Sequence, residues 1–281
     1  MNIREEIVSS LRCPVCGSPL GMNEKSLVCS GIRGKRHCFD LSASGYCDLS
    51  RRQGGSGDPK SCVADRTAFL DAGYYAPLAQ RIRRLVTEYA DPRGLLADEG
   101  CGEGYYSECI AAALPEGFVV GADLSKFAVD RASKRRNAAG RDNSFYCVAS
   151  VFEMPLADGC AASALCMYSP VAEAENRRVL RRGGVLIIGS AGPEHLIGLK
   201  EAIYDDVYLN EPRADLPKEM KLAYSCREEY EIRVEGQSDI RRLFGMTPYR
   251  FRTPAAAYER LCALESVTTT VQTDFAVYVN E

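Results

Sequence analysis

Apolar positions cluster in short, evenly separated runs over much of the chain. GLLADEG (94–100), GFVVGADLS (117–125), NSFYCVAS (143–150), AASALCMYS (161–169) and GGVLIIGSA (183–191) are compact and rich in β-formers. Runs this short and this apolar suit strands buried on both faces. Between them, YSECIAAAL (106–114), KFAVDRASKRRNAA (126–139) and AEAENRRVLRR (172–182) are helical in character. Such alternation predicts right-handed crossovers and an α/β fold, a Rossmann-like, mostly parallel sheet with helices on both faces. Upstream, Leu78, Ile82, Leu85 and Val86 recur at helical spacing, so a helix over 65–90 should lead into this domain. Residues 195–265 break the rhythm with polar helices and X-Pro turns, as an insertion or substrate-side region would. SVTTTVQTDFAVYVN (266–280) alternates β-branched and aromatic residues, as late antiparallel strands do.

The first sixty residues differ in kind. Residues 10–40 hold turn formers and cysteines with no helical period, and SRRQGGSGDPKS (50–61) reads as a flexible linker. Two domains are expected, a small N-terminal unit over 1–60 and a larger one over 61–281.

Composition narrows the class. With 46% hydrophobic and 26% charged residues, the 281-residue chain can bury a real core. No apolar run approaches the length of a membrane span, and MNIREEIVSSLRC lacks a signal core, so a cytoplasmic protein is expected. Thirteen cysteines form an odd set for a disulfide scaffold, so reduced thiols are expected, a few on metal and the rest as small buried side chains. The net charge of −3 argues against uniform adhesion to nucleic acid, but the balance is uneven. Thirteen Lys/Arg face nine Asp/Glu through residue 90, and the remainder carries −7. Arg33, Lys35, Arg36, then Arg51, Arg52, then Arg81, Arg83, Arg84 make three clusters suited to phosphates, although single clusters are more often solvated faces.

Gly100, Gly102 and Gly104 stand between a strand and a helix, where glycines permit a tight turn and close approach of a ligand. Asp123 ends the next strand about twenty residues on, where a carboxylate can accept both ribose hydroxyls. The pattern is D-x-G-x-G-x-G rather than the dinucleotide G-x-G-x-x-G. An acid at position 98 would repel a pyrophosphate but can help hold an ammonium group. The loop resembles motif I of the class I methyltransferases, which bind S-adenosylmethionine. That resemblance implies that Asp98, Gly100, Cys101, Gly102 and Gly104 serve the methionine end, with Cys101 a small filler. It also implies that Asp123 and Leu124 hold ribose and adenine, and that Ala149, Ser150 and Val151 flank the adenine. CMYSP (166–170) ends the fourth strand, which faces the transferred group in this architecture. Tyr168 is the candidate catalytic residue there, against the bland alternative of a Tyr-Ser-Pro turn. His195, in GPEHL after the fifth strand, is the other titratable candidate, although a packing or capping role is commoner for such a residue.

Cys13 and Cys16, in CPVCG, form a knuckle whose two thiolates can share one zinc ion. Cys29 follows after twelve residues, and RHCFD (36–40) offers His37 or Cys38 as the fourth ligand. In an extended segment only one of these neighbours can face the metal. For so small a unit, zinc would supply most of the folding free energy, roughly 10–16 kcal/mol apparent.

CPVCGSPL, RHCFDLSASGYCDL, RTAFLDAGYYAPL, DEGCGEGYY, ADLSKFAV, MYSPV and GPEHLIGLKEAIYDDVYLNEP occur in this order over nearly the whole chain. Together they resemble the 23S ribosomal RNA guanine-N1 methyltransferase family, which joins a zinc-binding N-terminal domain to a class I methyltransferase. The resemblance implies Cys13, Cys16, Cys29 and His37 as zinc ligands, with Cys38 a competitor because of the long SGIRGKR loop. It implies methyl transfer from S-adenosylmethionine to N1 of a guanine in a 23S rRNA hairpin loop, by a homodimer. Two other functions fit the residues themselves: a methyltransferase acting on a small molecule or protein, and a non-catalytic cofactor-binding protein associated with RNA.

Overall fold

The computed structural model describes residues 3–32, 34–51 and 57–281. A short helix α1 (Glu5–Ser10) precedes a three-stranded antiparallel sheet of β1 (Leu20–Asn23), β2 (Ser26–Cys29) and β3 (Cys38–Asp40). After β4 (Cys47–Asp48) come two helices, α2 (Lys60–Asp71) and α3 (Ala76–Tyr89). The larger unit then alternates β5 (Leu95–Glu99), α4 (Tyr105–Ala113), β6 (Phe118–Asp123), α5 (Lys126–Ala138) and β7 (Ser144–Val148). It continues with β8 (Ala161–Met167), α6 (Glu173–Val179), β9 (Leu180–Ala191) and α7 (Ile197–Ile203). The last part comprises β10 (Lys221–Glu235), α8 (Gln237–Gly245), a 3-10 turn (Pro248–Phe251), α9 (Ala255–Cys262) and β11 (Ser266–Val279).

Eight strands form one sheet in the order β10-β11-β9-β8-β5-β6-β7-β4. The strands from β9 to β4 are parallel, and β11 runs antiparallel to both β9 and β10. This is the mostly parallel, helix-covered sheet expected from the alternating pattern, and the class I methyltransferase fold that the resemblance implies. Every residue of β5, β7 and β8 is buried, as strands covered on both faces must be. The chain enters at β5, lays β6 and β7 to one side, then returns to place β8 and β9 on the other. That reversal opens a crevice beyond the C-terminal ends of β5, β6 and β8, where ligands of open α/β sheets bind.

Three departures from the sequence reading have physical causes. The helix expected over 65–90 is two helices, because Gly73 takes a left-handed φ of 90° and Pro77 starts the second. The expected apolar stripe Leu78, Ile82, Leu85, Val86 is buried, all on α3. The region 195–265, expected as polar helices and turns, contains the longest strand among the described residues, β10. As an edge strand it alternates exposed charges with half-buried Tyr224, Cys226, Glu228 and Tyr230, so its apolar signal is weak. Finally, β4 lies within the first sixty residues yet pairs in parallel with β7, Cys47 opposite Cys147. Ile7, Leu11, Leu27 and Leu49 share one apolar cluster with Val120, Phe145 and Leu186 of the large sheet. The N-terminal unit is therefore packed on the sheet rather than suspended from a tether. Among the described residues no helix is long and apolar enough to cross a membrane.

Candidate functional site

The turn after β5 is folded against the end of β6. The backbone N–H groups of Gly100 and Cys101 both donate to Ala122 O, at 2.8 and 3.1 Å. Gly100, Gly102 and Gly104 all have positive φ, and two of them are also pressed by neighbours. A Cβ at Gly100 would lie 2.5 Å from Ser169 Cβ, and one at Gly104 would lie 2.8 Å from Ala132 Cβ. The loop can follow this path only without side chains, which leaves its backbone open to a ligand.

Asp123, last in β6, reaches back over the turn. Its Oδ2 accepts from Gly102 N (3.1 Å) and its Oδ1 from Ser125 N (2.7 Å). Burial raises its pKa, opposed by the Ser125 N–H and by the nearby Arg66 charge. Leu124 beside it is 39% exposed, and Ala149 is tied to it through Ala149 N to Asp123 O (3.2 Å). Ser150 and Val151 continue the wall, and Phe152 stands exposed at its lip. A carboxylate above a side-chain-free bend, flanked by apolar walls, fits the ribose and adenine of S-adenosylmethionine.

Asp98 sits deeper than the other loop residues. It is 1% exposed, accepts from the Ser107 hydroxyl at the start of α4, and is pushed up to about 7, chiefly by burial. Cys101 is buried, with its thiol pushed up by the same cause. A charged network that sequence reading missed covers this loop. Arg66 of α2 contacts Glu103 and Asp58, each at 2.6 Å, and Ser125 Oγ donates to Asp58 O at 2.7 Å. The end of the expected linker and the start of α2 thereby lie on the glycine turn. No local spacing signals it, since partners 8 and 37 residues from Arg66 meet only after folding.

At the end of β8, Tyr168 takes φ 52°, a left-handed conformation unusual for a bulky side chain. Such strain, on the order of 1–3 kcal/mol, is typical of functional sites. The residue is 40% exposed, its ring lies 5.4 Å from the His195 ring, and its hydroxyl shares a 2.6 Å hydrogen bond with Thr273 Oγ1. Burial of that hydroxyl raises its pKa further. His195 is buried, accepts from Gln272 N at Nδ1 (3.2 Å), and is pushed down to about 4 by burial. Neither residue is poised to take a proton at neutral pH.

The ligand atoms of Cys13, Cys16, Cys29 and His37 all lie within 4.8 Å of one another. Cys16 Sγ and Cys29 Sγ are 3.8 Å apart, and His37 Nδ1 is 3.5 Å from both Cys13 Sγ and Cys29 Sγ. Tetrahedral zinc, with Zn–S about 2.3 Å and Zn–N about 2.0–2.1 Å, spaces sulfurs about 3.8 Å apart and sulfur from nitrogen about 3.6 Å. The cluster fits that ion. His37 N also donates to Cys29 Sγ (3.0 Å), a contact that favours a thiolate. Cys38 is exposed on the far side of the strand, 3.9 Å from Asp40 Oδ1, so His37 is the one brought to the cluster.

Of the basic clusters, Arg33 and Arg52 lie outside the described residues, as does the stretch 52–56 of the linker. Arg51 braces the knuckle, with Nε donating to Pro14 O (2.6 Å) and Nη1 3.3 Å from Glu153. Arg81 is held by Glu228 and Tyr224, and lines a surface hollow with Arg83 and Arg84.

The profile of a methyltransferase domain matches residues 96–184, the stretch from β5 into β9. A 23S rRNA (guanine(748)-N(1))-methyltransferase of Streptomyces fradiae is 34% identical over 72% of this chain and 70% of that one. A protein of Micromonospora griseorubida provisionally named 23S rRNA (guanine-N(1)-)-methyltransferase is 30% identical over 97% of this chain and 98% of that one. Among solved structures, the YcgJ protein of Bacillus subtilis is 15% identical, with a TM-score of 0.49 over 72% of this chain and 99% of that one. With a relative this similar over more than two thirds of its length, the chain belongs to the 23S rRNA guanine-N1 methyltransferase family.

Proposed function

We propose that this protein methylates N1 of a guanine in a hairpin loop of 23S rRNA, and that the N-terminal unit is a zinc-built RNA-reading surface. The observation that carries the reading is the juxtaposition of the Asp123-spanned glycine bend with the strained Tyr168 shelf at the neighbouring strand end. The names of the Streptomyces and Micromonospora relatives support the choice of substrate.

S-adenosylmethionine, when bound, supplies a methyl group made electrophilic by its sulfonium. Gly100, Cys101, Gly102 and Gly104 would line its methionine end, with Asp98 holding the turn beneath through Ser107. Asp123 would accept the ribose hydroxyls, keeping Oδ1 anchored on Ser125 N. Leu124 and the Ala149–Val151 stretch would sandwich the adenine. N1 lies on the Watson–Crick edge, so the base must be unpaired or splayed out to present it, as loop bases can be. Tyr168, part exposed and locked in place by Thr273, offers the flat side chain on which such a base can stack. Cys13, Cys16, Cys29 and His37 would close the shell of a structural zinc ion, since four protein ligands leave no position for chemistry.

The test is reverse-transcriptase stop mapping of 23S rRNA from cells with and without the gene, because N1 methylation blocks pairing. A new stop at a loop guanine, lost with Asp123→Ala, is the expected result. Identical stop patterns in all three strains would overturn the reading.

A further inference from the structure

The mouth of the site poses a chemical problem. N1 of guanine carries a proton at neutral pH, and that proton must leave for N1 to attack. Among the described residues, no carboxylate, lysine or cysteine is hydrogen-bonded to the side chain of Tyr168 or His195. Behind Tyr168 instead lies a pair of buried neutral donors, on His195 and Tyr75. Because Nδ1 of His195 accepts the Gln272 N–H, the ring proton resides on Nε2, which finds no partner among the described residues. Tyr75, between α2 and α3, is 3% exposed, yet its hydroxyl has no hydrogen-bond partner among the described residues. The Tyr75 ring meets His195 edge-on at 6.4 Å, and its hydroxyl lies in the field of those of Tyr168, Tyr230 and Tyr249. A buried hydroxyl without a partner is destabilising, so its persistence beside a strained tyrosine calls for a ligand. Leu196, next to His195, is a further left-handed residue, with φ 58°.

We propose that His195 Nε2–H and the Tyr75 hydroxyl are catalytic donors to O6 of the target guanine, holding the negative charge that gathers there when N1 loses its proton. This rests on the guanine-N1 reading above and adds to it the means of activating the acceptor. The N1 proton passes to solvent water at the mouth, where Tyr168 is 40% exposed. The N1 electron pair then forms the bond to the methyl carbon. The carbon–sulfur bond breaks with its pair returning to sulfur, so the products are N1-methylguanine, S-adenosylhomocysteine and one proton. Donors aimed at developing charge act most strongly when they are fixed beforehand and shielded from water. Burial keeps both neutral, lowering the basicity of His195 and raising the pKa of Tyr75. The other titratable groups around His195 are Tyr168 at the end of β8 and Lys200 on α7, with Glu229 of β10 reached through Gln272. None of the three is hydrogen-bonded to the imidazole.

The experiment uses the full-length protein and an rRNA fragment that it methylates. If the wild-type protein makes no N1-methylguanine, the reading of function fails before this inference is reached. If it does, the target guanine is labelled with 15N at N1 and titrated by NMR in complex with enzyme and S-adenosylhomocysteine, a measurement without turnover. The N1 midpoint is expected to lie below that of the free fragment, and His195→Phe should return it upward by about one pH unit, tenfold in proton affinity. Single-turnover transfer near neutral pH should fall about tenfold in His195→Phe, with the deficit closing at alkaline pH. His195→Gln, which keeps a donor, should recover part of the rate. Tyr75→Phe gives the sharper signature, because removing an orphan hydroxyl should leave stability equal or higher while transfer slows about tenfold. Equal N1 midpoints with and without His195, or an unchanged rate in Tyr75→Phe, would overturn the proposal. So would loss of an acidic limb of the rate profile in His195→Phe, which would make the histidine a base.

Discussion

Replacing Glu99 with Gln tests how the root of the glycine turn is held. The Glu99 side chain is fully buried, its Oε2 accepts from Asn176 Nδ2 (2.6 Å), and its Oε1 has no partner among the described residues. Asn176 Oδ1 is also orphaned, so a single proton on the carboxyl turns one orphan into a donor for the other. Burial accordingly raises the Glu99 pKa from 4.5 to about 8. The sign follows from linkage. A carboxyl whose folded pKa is raised contributes stability that is complete below the unfolded value and is lost as pH climbs toward the folded one. Between 4.5 and about 8 the wild-type protein should lose about 1.4 kcal/mol per pH unit from this group. Gln keeps the acceptor toward Asn176 Nδ2 and supplies a permanent donor for Asn176 Oδ1. Glu99→Gln should therefore be more stable than wild type by about 2 kcal/mol at pH 6 and about 4 kcal/mol at pH 7.5. Urea unfolding at four or five pH values, under reducing conditions, reads this directly. Asp98, pushed up to about 7, adds a slope of the same sign that remains in both proteins. Parallel stability curves for the two proteins, or a variant weaker at every pH, would show that Glu99 folds as an anion and refute the argument.

Other tests address the site more simply. Asp123→Ala should weaken S-adenosylmethionine binding about a hundredfold or more in calorimetry, from loss of two charge-assisted hydrogen bonds at about 1.5–3 kcal/mol each, without unfolding the protein. Metal analysis should find one zinc per chain, retained in Cys38→Ala and lost in His37→Ala; the reverse pattern would reassign the fourth ligand. Arg51→Ala with Arg52→Ala should lower RNA affinity and leave cofactor affinity intact, and unchanged RNA binding would remove that surface from the reading.

The parallel core was legible because its strands are short apolar runs separated by helices, and burial on both faces leaves no polar alternation to confuse the pattern. Asp123 and the glycines were legible for a related reason, since their spacing is imposed by one strand–helix–strand unit. Elements whose reason lies in tertiary contact were not. The edge position of β10 lets Arg227, Glu229 and Glu231 face outward on a strand, which a periodicity search reads as polar helix. The break at Gly73 splits a stretch whose helical character is otherwise continuous. Arg66, Glu103 and Tyr75 acquire meaning only from neighbours distant in sequence, so no motif announces them. Between His37 and Cys38 the alternation of an extended segment narrows the choice to one of two, and the fold then selects.

The pairing of β4 with β7 has a practical consequence for anyone hoping to work with the methyltransferase half alone. Cutting the chain ahead of α2 would strip the guard from a buried strand and bare its unsatisfied amides and carbonyls, together with the apolar patch under Leu11 and Leu49. A raw flank of that kind recruits other molecules of itself. A shortened protein should clump instead of behaving as a smaller enzyme, and the N-terminal portion is best regarded as the sheet's own selvedge.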